Sequence, residues 1–566
     1  MPAIRTLADI EAIEAVPWTE RFAHQTTTEL LRASAAAHPD RPAIRYLPTP
    51  TAEPQDTSYA ELWDNIRRTA SLFRSLGVGR NDAVTYVLPN LPETHEVIWG
   101  AQLAGRAHAI NPFLDAATIA ALMRAVGSCV LVVATNVATN VASFPDACAL
   151  LDAVKDLRAL RAVIVIGPMP GPLDNDWPPL HPLSAREPFG LEPDAFEPPA
   201  PDDVAAIFHT GGTTGRPKLA PHLHRNEAFM AQMAAFLVGA APGDGYLVGL
   251  PLFHVNAAIS SGLAVFAAGG TVVLATPMGF RTPGLITQTW RIVEEHRVTA
   301  TAGVPTVYGA LLDVPVGGRD LSSLRFAGCG AAPLSTELFR RFEAHTGVRL
   351  LEGYGLTEAT VTSTLNPVDG ERRVGSIGLR LPYQEVRIVE LDKDKRVVRD
   401  CEDGEPGTLL LRGPNVFPGY LGRTGVNSGL LDDGWLDTGD LSRRDVDGYY
   451  WLTGRAKDII IRGGHNIDAA QIEAALARHP AVREAAAFAQ PDDHAGELPC
   501  AAVELRDGMS ATPAELLAFA RRHVGERAAV PVHIEIMDAL PVTAVGKVYK
   551  PELRWLAAER VANKAG

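Results

Sequence analysis

The sequence predicts an α/β protein: a large N-terminal domain of α/β subdomains carrying a small β-rich part, then a smaller α+β domain. Three observations predict it. Residues 129–134 and 162–166 are short, continuous apolar runs, as buried parallel strands tend to be. Amphipathic helical stretches alternate with such runs through residues 1–200. From residue 457 the pattern closes into a compact unit of its own, which sets the expected domains at 1–456 and 457–566.

Taken in order, residues 59–76 read as an amphipathic helix and 83–88 as a strand. Residues 89–105 read as a helix with a Pro/Asn start. Residues 167–201 are proline-rich with little periodicity and read as a surface connection. Strands and helices resume over 245–253, 271–275 and 289–299. The most apolar stretch, 257–275, is interrupted by Ser260, Ser261, Gly262, Gly269 and Gly270. It falls short of the about 20 clean apolar residues a membrane span needs, so a buried helix followed by a strand over 271–274 is expected. Residues 386–411 are strand-rich with Gly/Asp turns. In the last unit, 468–482 and 513–524 read as helices, and 501–505 and 532–537 as strands.

Composition narrows the function. The chain of 566 residues is 46% hydrophobic and 21% charged, ordinary for a globular protein. A net charge of −14 argues against a general binder of nucleic acid or anionic membranes. It also means that an anionic substrate must be held by local positive groups or by metal. The cysteines, Cys129, Cys148, Cys329, Cys401 and Cys500, form no C-x-x-C pair, so neither a zinc site nor a disulfide framework is suggested. The N-terminus carries acidic residues and no long apolar core, unlike a secretory signal. A reducing cytoplasm is the expected compartment. A monomer and a dimer fit equally.

The most informative run is Thr210, Gly211, Gly212, Thr213, Thr214, Gly215, Arg216, Pro217, Lys218. Glycines let backbone approach an anion, and successive N–H groups make an anion-binding concavity. Hydroxyls and two cations add to it, so the run reads as a polyphosphate clamp or as a Gly/Thr-rich surface loop. It is not a Walker loop: counting from Gly211, Arg216 occupies the second glycine position. Further on, Gly353, Tyr354, Gly355, Leu356, Thr357 and Glu358 bring an aromatic ring, a hydroxyl and a carboxylate together. Such groups can stack on a base and hold phosphate oxygen and Mg²⁺, a cation that prefers hard oxygen ligands. A turn with a buried tyrosine and an exposed glutamate is the plain alternative.

These runs resemble the signatures of the acyl-adenylate-forming superfamily, which includes acyl-CoA synthetases, peptide-synthetase adenylation domains and beetle luciferases. Residues 208–218 resemble its phosphate loop, with Gly212 where serine is usual and Leu219 where the last glycine is usual. Residues 353–358 match its Tyr-Gly-x-Thr-Glu motif residue for residue. Gly328 to Leu334, with Gly330, Ala331 and Ala332, is similar to the small-residue segment lining the adenine and acyl sites. Pro251, Leu252, Phe253 and His254 resemble the motif bordering the acyl carboxylate. Gly434 to Asp440, Arg455 in "TGRAKD", and the Pro541–Lys547 stretch complete the ordered set, with "LPNLPE" and Asn111-Pro112 as weaker matches upstream.

The resemblance implies a free-standing acyl-CoA synthetase. It activates a fatty or aryl carboxylic acid with ATP and Mg²⁺ as acyl-AMP, releasing pyrophosphate, and passes the acyl group to the thiol of coenzyme A. It implies that Thr213, Thr214, Gly215 and Lys218 hold the β/γ-phosphates. Tyr354 lies against adenine, Thr357 contacts the α-phosphate and Glu358 contacts Mg²⁺. Asp440 binds the ribose hydroxyls, Arg455 adds a ribose or phosphate contact, and Lys547 orients the acyl carboxylate. It makes the small domain mobile, with Lys457 at the hinge, and it lets the pantetheine arm pass Gly463 and Gly464. His465 follows them with no implied role. Val255, Asn256, Ala257, Gly303, Val304 and Cys329 are expected pocket-wall residues, with no clear cation among them. A carrier-protein thiol as acceptor, or an inactive nucleotide-binding protein, are the alternatives.

Overall fold

The computed structural model describes the chain except residues 1–2, 136–146, 171–175, 188–196, 211–217, 333, 456–457, 459, 463–464, 468, 493–494, 525, 544–547 and 566; at 426–427, 432, 455, 461, 465–466 and 560–565 only the backbone is described. Two large sheets form the body. One has the strand order Leu180–Pro182, Ala162–Ile166, Val130–Ala134, Ala83–Val87, Arg106–Ala109, Val204–Thr210, Lys218–Leu223. All its neighbours pair parallel except the last two, which form an antiparallel edge. In the other sheet, Arg349–Tyr354, Phe326–Cys329, Ala300–Gly303, Gly245–Val248, Thr271–Ala275 and Pro42–Leu47 lie side by side and parallel, with short antiparallel strands at both edges. Their near-continuous apolar sequences follow from burial on both faces.

Helices between the sheets merge them into one core. Tyr59, Phe73, Trp99, Phe229 and Phe266 are buried in a cluster that also holds Ile44 of one sheet and Val84 of the other. The helix Tyr59–Ser75 starts at a capping box: Ser58 accepts from the Glu61 N–H, and Glu61 accepts from the Ser58 N–H. Its buried Leu62, Ile66, Thr69, Ala70 and Phe73 recur at helical spacing. Pro92 opens the helix Pro92–Ala104, where its missing N–H costs nothing.

The antiparallel sheet formed by Val397–Asp400, Glu385–Leu391, Gly407–Arg412, Leu436–Arg444 and Tyr450–Arg455 is the small β-rich part. Beyond it, the strands Ile460–Arg462, His465–Ile467, Val482–Asp492, Gly496–Leu505 and His533–Met537 pack with the helices Ala469–Ala477 and Pro513–His523 over a separate core of Ile460, Leu476, Val503, Leu516 and Ile534. The expected large α/β and small α+β bodies are both present.

Two expectations need correction. The 167–201 connection contains an edge strand, Leu180–Pro182, and a 3-10 turn, Leu183–Arg186. Buried Arg186 there pairs with Glu96 at 2.6 Å and donates to Thr69 at 2.9 Å. A three-residue strand is too short to show periodicity and is held by long-range pairing alone. The strand expected over 245–253 ends at Val248, and the chain bends at Leu250 and turns at Leu252 and Phe253 ahead of the next helix. The apolar stretch forms the expected buried helix followed by the strand Thr271–Ala275; its first part, Asn256–Leu263, is a π-helix that passes into the α-helical turn Ala264–Ala267. No helix among the described residues is long and apolar enough to cross a membrane.

Candidate functional site

The parallel strands deliver their carboxyl ends to one region, the usual place for a ligand in such sheets. His254 follows Gly245–Val248, Val304 follows Ala300–Gly303, Gly330 follows Phe326–Cys329, and Tyr354 ends Arg349–Tyr354. From the other sheet, Thr210 closes Val204–Thr210 and Lys218 opens Lys218–Leu223.

The backbone around Tyr354 accepts few substitutions. A Cβ on Gly355 would sit 1.5 Å from the Val361 carbonyl oxygen, so only glycine fits. After the 3-10 turn Thr357–Ala359, Thr360 and Val361 adopt φ of 51° and 101°. Such conformations cost of order 1–3 kcal/mol each and persist where surroundings impose them. Here the Thr360 hydroxyl donates to the Asn415 carbonyl at 2.7 Å, and the Ser363 N–H to the Tyr354 carbonyl at 2.8 Å. Ala331, at φ 70°, is a third left-handed residue, and a Cβ on Gly330 would lie 3.2 Å from the Gly353 carbonyl oxygen. The two loops therefore approach through backbone, as the small-residue segment suggested. His254 is half-buried, one turn before the π-helix.

Two buried polar pairs stand out. The Tyr354 hydroxyl donates to Asp440 Oδ2 at 2.6 Å. Asp440 sits in Leu436–Arg444, opposite Arg455 in the neighbouring strand. Glu358 is 9% exposed and accepts from the Tyr420 hydroxyl. Buried Glu358 removes the alternative of an exposed turn carboxylate. Tyr420 also hydrogen-bonds Thr210, and the Lys218 ammonium stands 4.3 Å from the centre of its ring. Burial first, and the Glu358 carboxylate second, push the Tyr420 hydroxyl well above its ordinary pKa and keep it a donor. Tyr420 thus ties Thr210, Lys218 and Glu358 together. Sequence reasoning missed it, since a lone tyrosine in a Gly-rich loop carries no signal beyond its flanking glycines.

A cavity of about 210 Å³ opens past the carboxyl ends of the strands Ala83–Val87, Gly245–Val248 and Ala300–Gly303. Leu88, Phe113, Leu250, Phe253, Val304 and Val307 are among its mainly apolar walls. Of the expected wall residues only Val304 lines it. Val255, Ala257 and Cys329 are buried in the core instead, and Leu250, Pro251 and Phe253 line the cavity. Arg281 also lines the cavity, with its guanidinium 4.7 Å from the Phe113 ring centre. Arg281 donates to the Thr543 carbonyl of the C-terminal unit at 3.1 Å. Around Thr543 the chain doubles back: Val542 pairs with Val548, and the Tyr549 N–H donates to Pro541 at 2.7 Å.

The other predicted site residues lie outside the described residues: Gly211, Gly212, Thr213, Thr214, Gly215, Lys457, Gly463, Gly464 and Lys547, together with the Arg455 side chain.

Residues 31–421 match the model of the AMP-binding enzyme family, and residues 471–547 that of the AMP-binding enzyme C-terminal domain. The chain belongs to the AMP-binding enzymes. Within this family it is 39% identical to a marinolic acid–CoA ligase from Pseudoalteromonas sp. (strain SANK 73390), over 97% of this chain and 84% of the relative. It is 33% identical to a feruloyl-CoA synthase from Amycolatopsis sp., over 88% of this chain and 93% of that one. Among AMP-binding enzymes of known structure, ATP-bound MatB from Rhodopseudomonas palustris superposes with a TM-score of 0.79 at 25% identity, covering 94% of this chain and 98% of that one. The chain is an acid–thiol ligase of this family, as relatives named CoA ligases indicate.

Proposed function

We propose that this enzyme activates a fatty or aryl carboxylic acid as acyl-AMP and transfers the acyl group to coenzyme A. One observation carries the reading: the buried Tyr354–Asp440 and Tyr420–Glu358 pairs lie past the end of Arg349–Tyr354, and an apolar cavity lies past the ends of Gly245–Val248 and Ala300–Gly303 in the same sheet. Polar and apolar recognition thus share one edge of the sheet, as joining a nucleotide to an apolar acid requires.

In the first step a carboxylate oxygen attacks the α-phosphorus of ATP and the bond to pyrophosphate breaks. Little covalent chemistry falls to the protein, and positioning with charge stabilisation dominates. Tyr354 lies against adenine, and Asp440 accepts from the ribose hydroxyls with Arg455 alongside. Gly330, Ala331, Ala332 and Gly353 let the backbone approach the flat ligand. Thr210, Gly211, Gly212, Thr213, Thr214, Gly215 and Lys218 hold the β/γ-phosphates, and Thr357 the α-phosphate. Glu358 fits Mg²⁺: it is a buried hard oxygen donor. No cluster of three or more acidic, His or Cys ligands occurs among the described residues, which suits an ion held largely by phosphate oxygens. When bound, Mg²⁺ neutralises charge on the phosphates. His254 borders the carboxylate, and Lys547 orients it as a point charge.

In the second step the CoA thiol attacks the acyl carbon and AMP leaves. The domains divide at 456/457, and Lys457 is the hinge for rotation of 457–566. That rotation brings Gly463 and Gly464 to the pantetheine arm. The strands Tyr450–Arg455 and Ile460–Arg462 belong to different sheets, which supports a boundary between them. The Arg281–Thr543 contact supports a pose in which the loop carrying Lys547 faces the site before rotation. Five free cysteines fit a reducing cytoplasm. Pyrophosphate release across short, long and aromatic carboxylates, with and without CoA, tests the reading. Acid-dependent release is expected, and release independent of any acid would overturn it.

A further inference from the structure

The strand Lys218–Leu223 touches the Thr357–Glu358 turn at both of its ends. Lys218, Ala220 and His222 share one face by strand alternation. Lys218 reaches Tyr420, which binds Glu358. His222, fully buried, places Nε2 2.7 Å from the Thr357 carbonyl oxygen and leans on the Phe208 ring at 4.9 Å.

The proton positions follow from the partners. A carbonyl oxygen only accepts, so His222 Nε2 carries a proton. His222 Nδ1 faces Glu227 Oε1 at 3.4 Å, and both residues are shut off from solvent. At that separation the two buried atoms approach each other without a hydrogen bond between them. The other Glu227 oxygen accepts from Gln102 Nε2 at 2.8 Å. Gln102 Oε1 accepts from the Thr27 hydroxyl at 2.6 Å, which leaves the Thr27 oxygen to accept from His224 Nδ1 at 2.9 Å. Burial pushes His224 down to about 3, so it is neutral and supplies that single donor. Hydrogen bonds running from His224 through Thr27 and Gln102 thus fix Glu227 beside His222, and His222 in turn holds the Thr357 carbonyl.

We infer that His222 and Glu227 form a buried positioning dyad that holds the Thr357 carbonyl and thereby sets the Thr357–Glu358 turn for adenylation. No motif identified the dyad: His222 and Glu227 read as ordinary residues of a strand and a helix. Resting as it does on the adenylating role above, the inference makes both residues act through Thr357 and Glu358 and not on the substrate itself.

The test compares His222→Phe, which keeps ring volume but lacks the donor, with Glu227→Leu and Glu227→Gln, in the full-length enzyme. Each is assayed by ATP–pyrophosphate exchange with an accepted acid, titrating MgATP and the acid separately, and by Tm. The expected result is a fall of about tenfold in kcat for exchange in His222→Phe, the scale of one lost hydrogen bond in a buried site, with MgATP KM raised and acid KM unchanged. Glu227→Leu falls similarly, and Glu227→Gln, which keeps a polar group facing Nδ1, recovers most of the loss. Wild-type kinetics in His222→Phe would overturn the inference. So would a loss that tracks Tm with both KM values unchanged, or a Glu227→Gln as impaired as Glu227→Leu. Absence of acid-dependent exchange in the wild-type enzyme would instead remove the adenylating reading itself.

Discussion

The polar end of the site, proposed above for the nucleotide, and the apolar end, proposed for the acyl chain, are built differently. At the polar end three side chains are each paired with a distant segment: Tyr354 with Asp440, Glu358 with Tyr420, and Thr360 with the Asn415 carbonyl. Backbone strain at Ala331, Thr360 and Val361 is concentrated there as well. The acyl end is an apolar cavity whose walls come from residues 88–90, 112–113, 249–253, 277–286 and 304–310, with Arg281 at the contact with the C-terminal unit. Hydrogen-bonded recognition is exacting because an unpaired buried group is costly, whereas an apolar wall discriminates by only about 1–3 kcal/mol per methylene. Substitutions at the two ends should therefore differ in kind: loss of chemistry at one, change of substrate at the other.

The largest effect is expected at Lys547. Lys547→Ala should lower acyl-AMP formation by about 100- to 1,000-fold, the scale of one lost oxyanion-stabilising group, yet spare thioester formation from supplied acyl-AMP. Equal loss of both half-reactions would remove the assigned role. Lys457→Pro should do the reverse, keeping ATP–pyrophosphate exchange and losing thioester formation; an unchanged overall rate would eliminate Lys457 as hinge.

At the acyl end, Ala310→Phe puts a ring into the cavity lined by Ala310. Its kcat/KM for long acids should fall about 10- to 100-fold while short acids keep theirs, and MgATP KM should not move. A uniform loss across acids would mean that the cavity is not where the acyl chain goes.

A smaller effect concerns stability near the nucleotide end. Burial pushes the Glu352 carboxyl from 4.5 up to about 7, more than its hydrogen bond from the Leu334 N–H lowers it. The folded form then keeps a proton that the unfolded chain releases, so this contribution is fully present below pH 4.5 and is lost as pH rises to about 7. Glu352→Gln should raise Tm relative to wild type by roughly 2–4 °C at pH 8 and change little at pH 4.5. An equal shift at both pH values would contradict the burial of a charge there.

The same contrast decides what the sequence reveals. Residues 353–358 and 434–440 are contiguous, so their chemistry is legible as a string. The parallel sheets are legible too, because fully buried strands leave unbroken apolar runs at 129–134 and 162–166. Tyr420 and Glu358 are 62 residues apart, and nothing in either neighbourhood announces the other. The cavity walls are ordinary apolar residues from separate segments, indistinguishable one by one from core. Val255 and Ala257 read as pocket-wall residues in the sequence, small and apolar, yet they are buried in the core, since nothing in their residue types separates wall from core. The edge strand Leu180–Pro182 exists only through its pairing, which no local pattern encodes.

ATP–pyrophosphate exchange, measured with and without a carboxylic acid and in the absence of CoA, tests the central claim most directly. Adenylation at the Tyr354–Asp440 and Tyr420–Glu358 end predicts exchange that requires the acid, saturates with it, and proceeds without CoA, which on addition releases AMP and thioester. Exchange that needs CoA, or ATP hydrolysis to ADP indifferent to the acid, would contradict it.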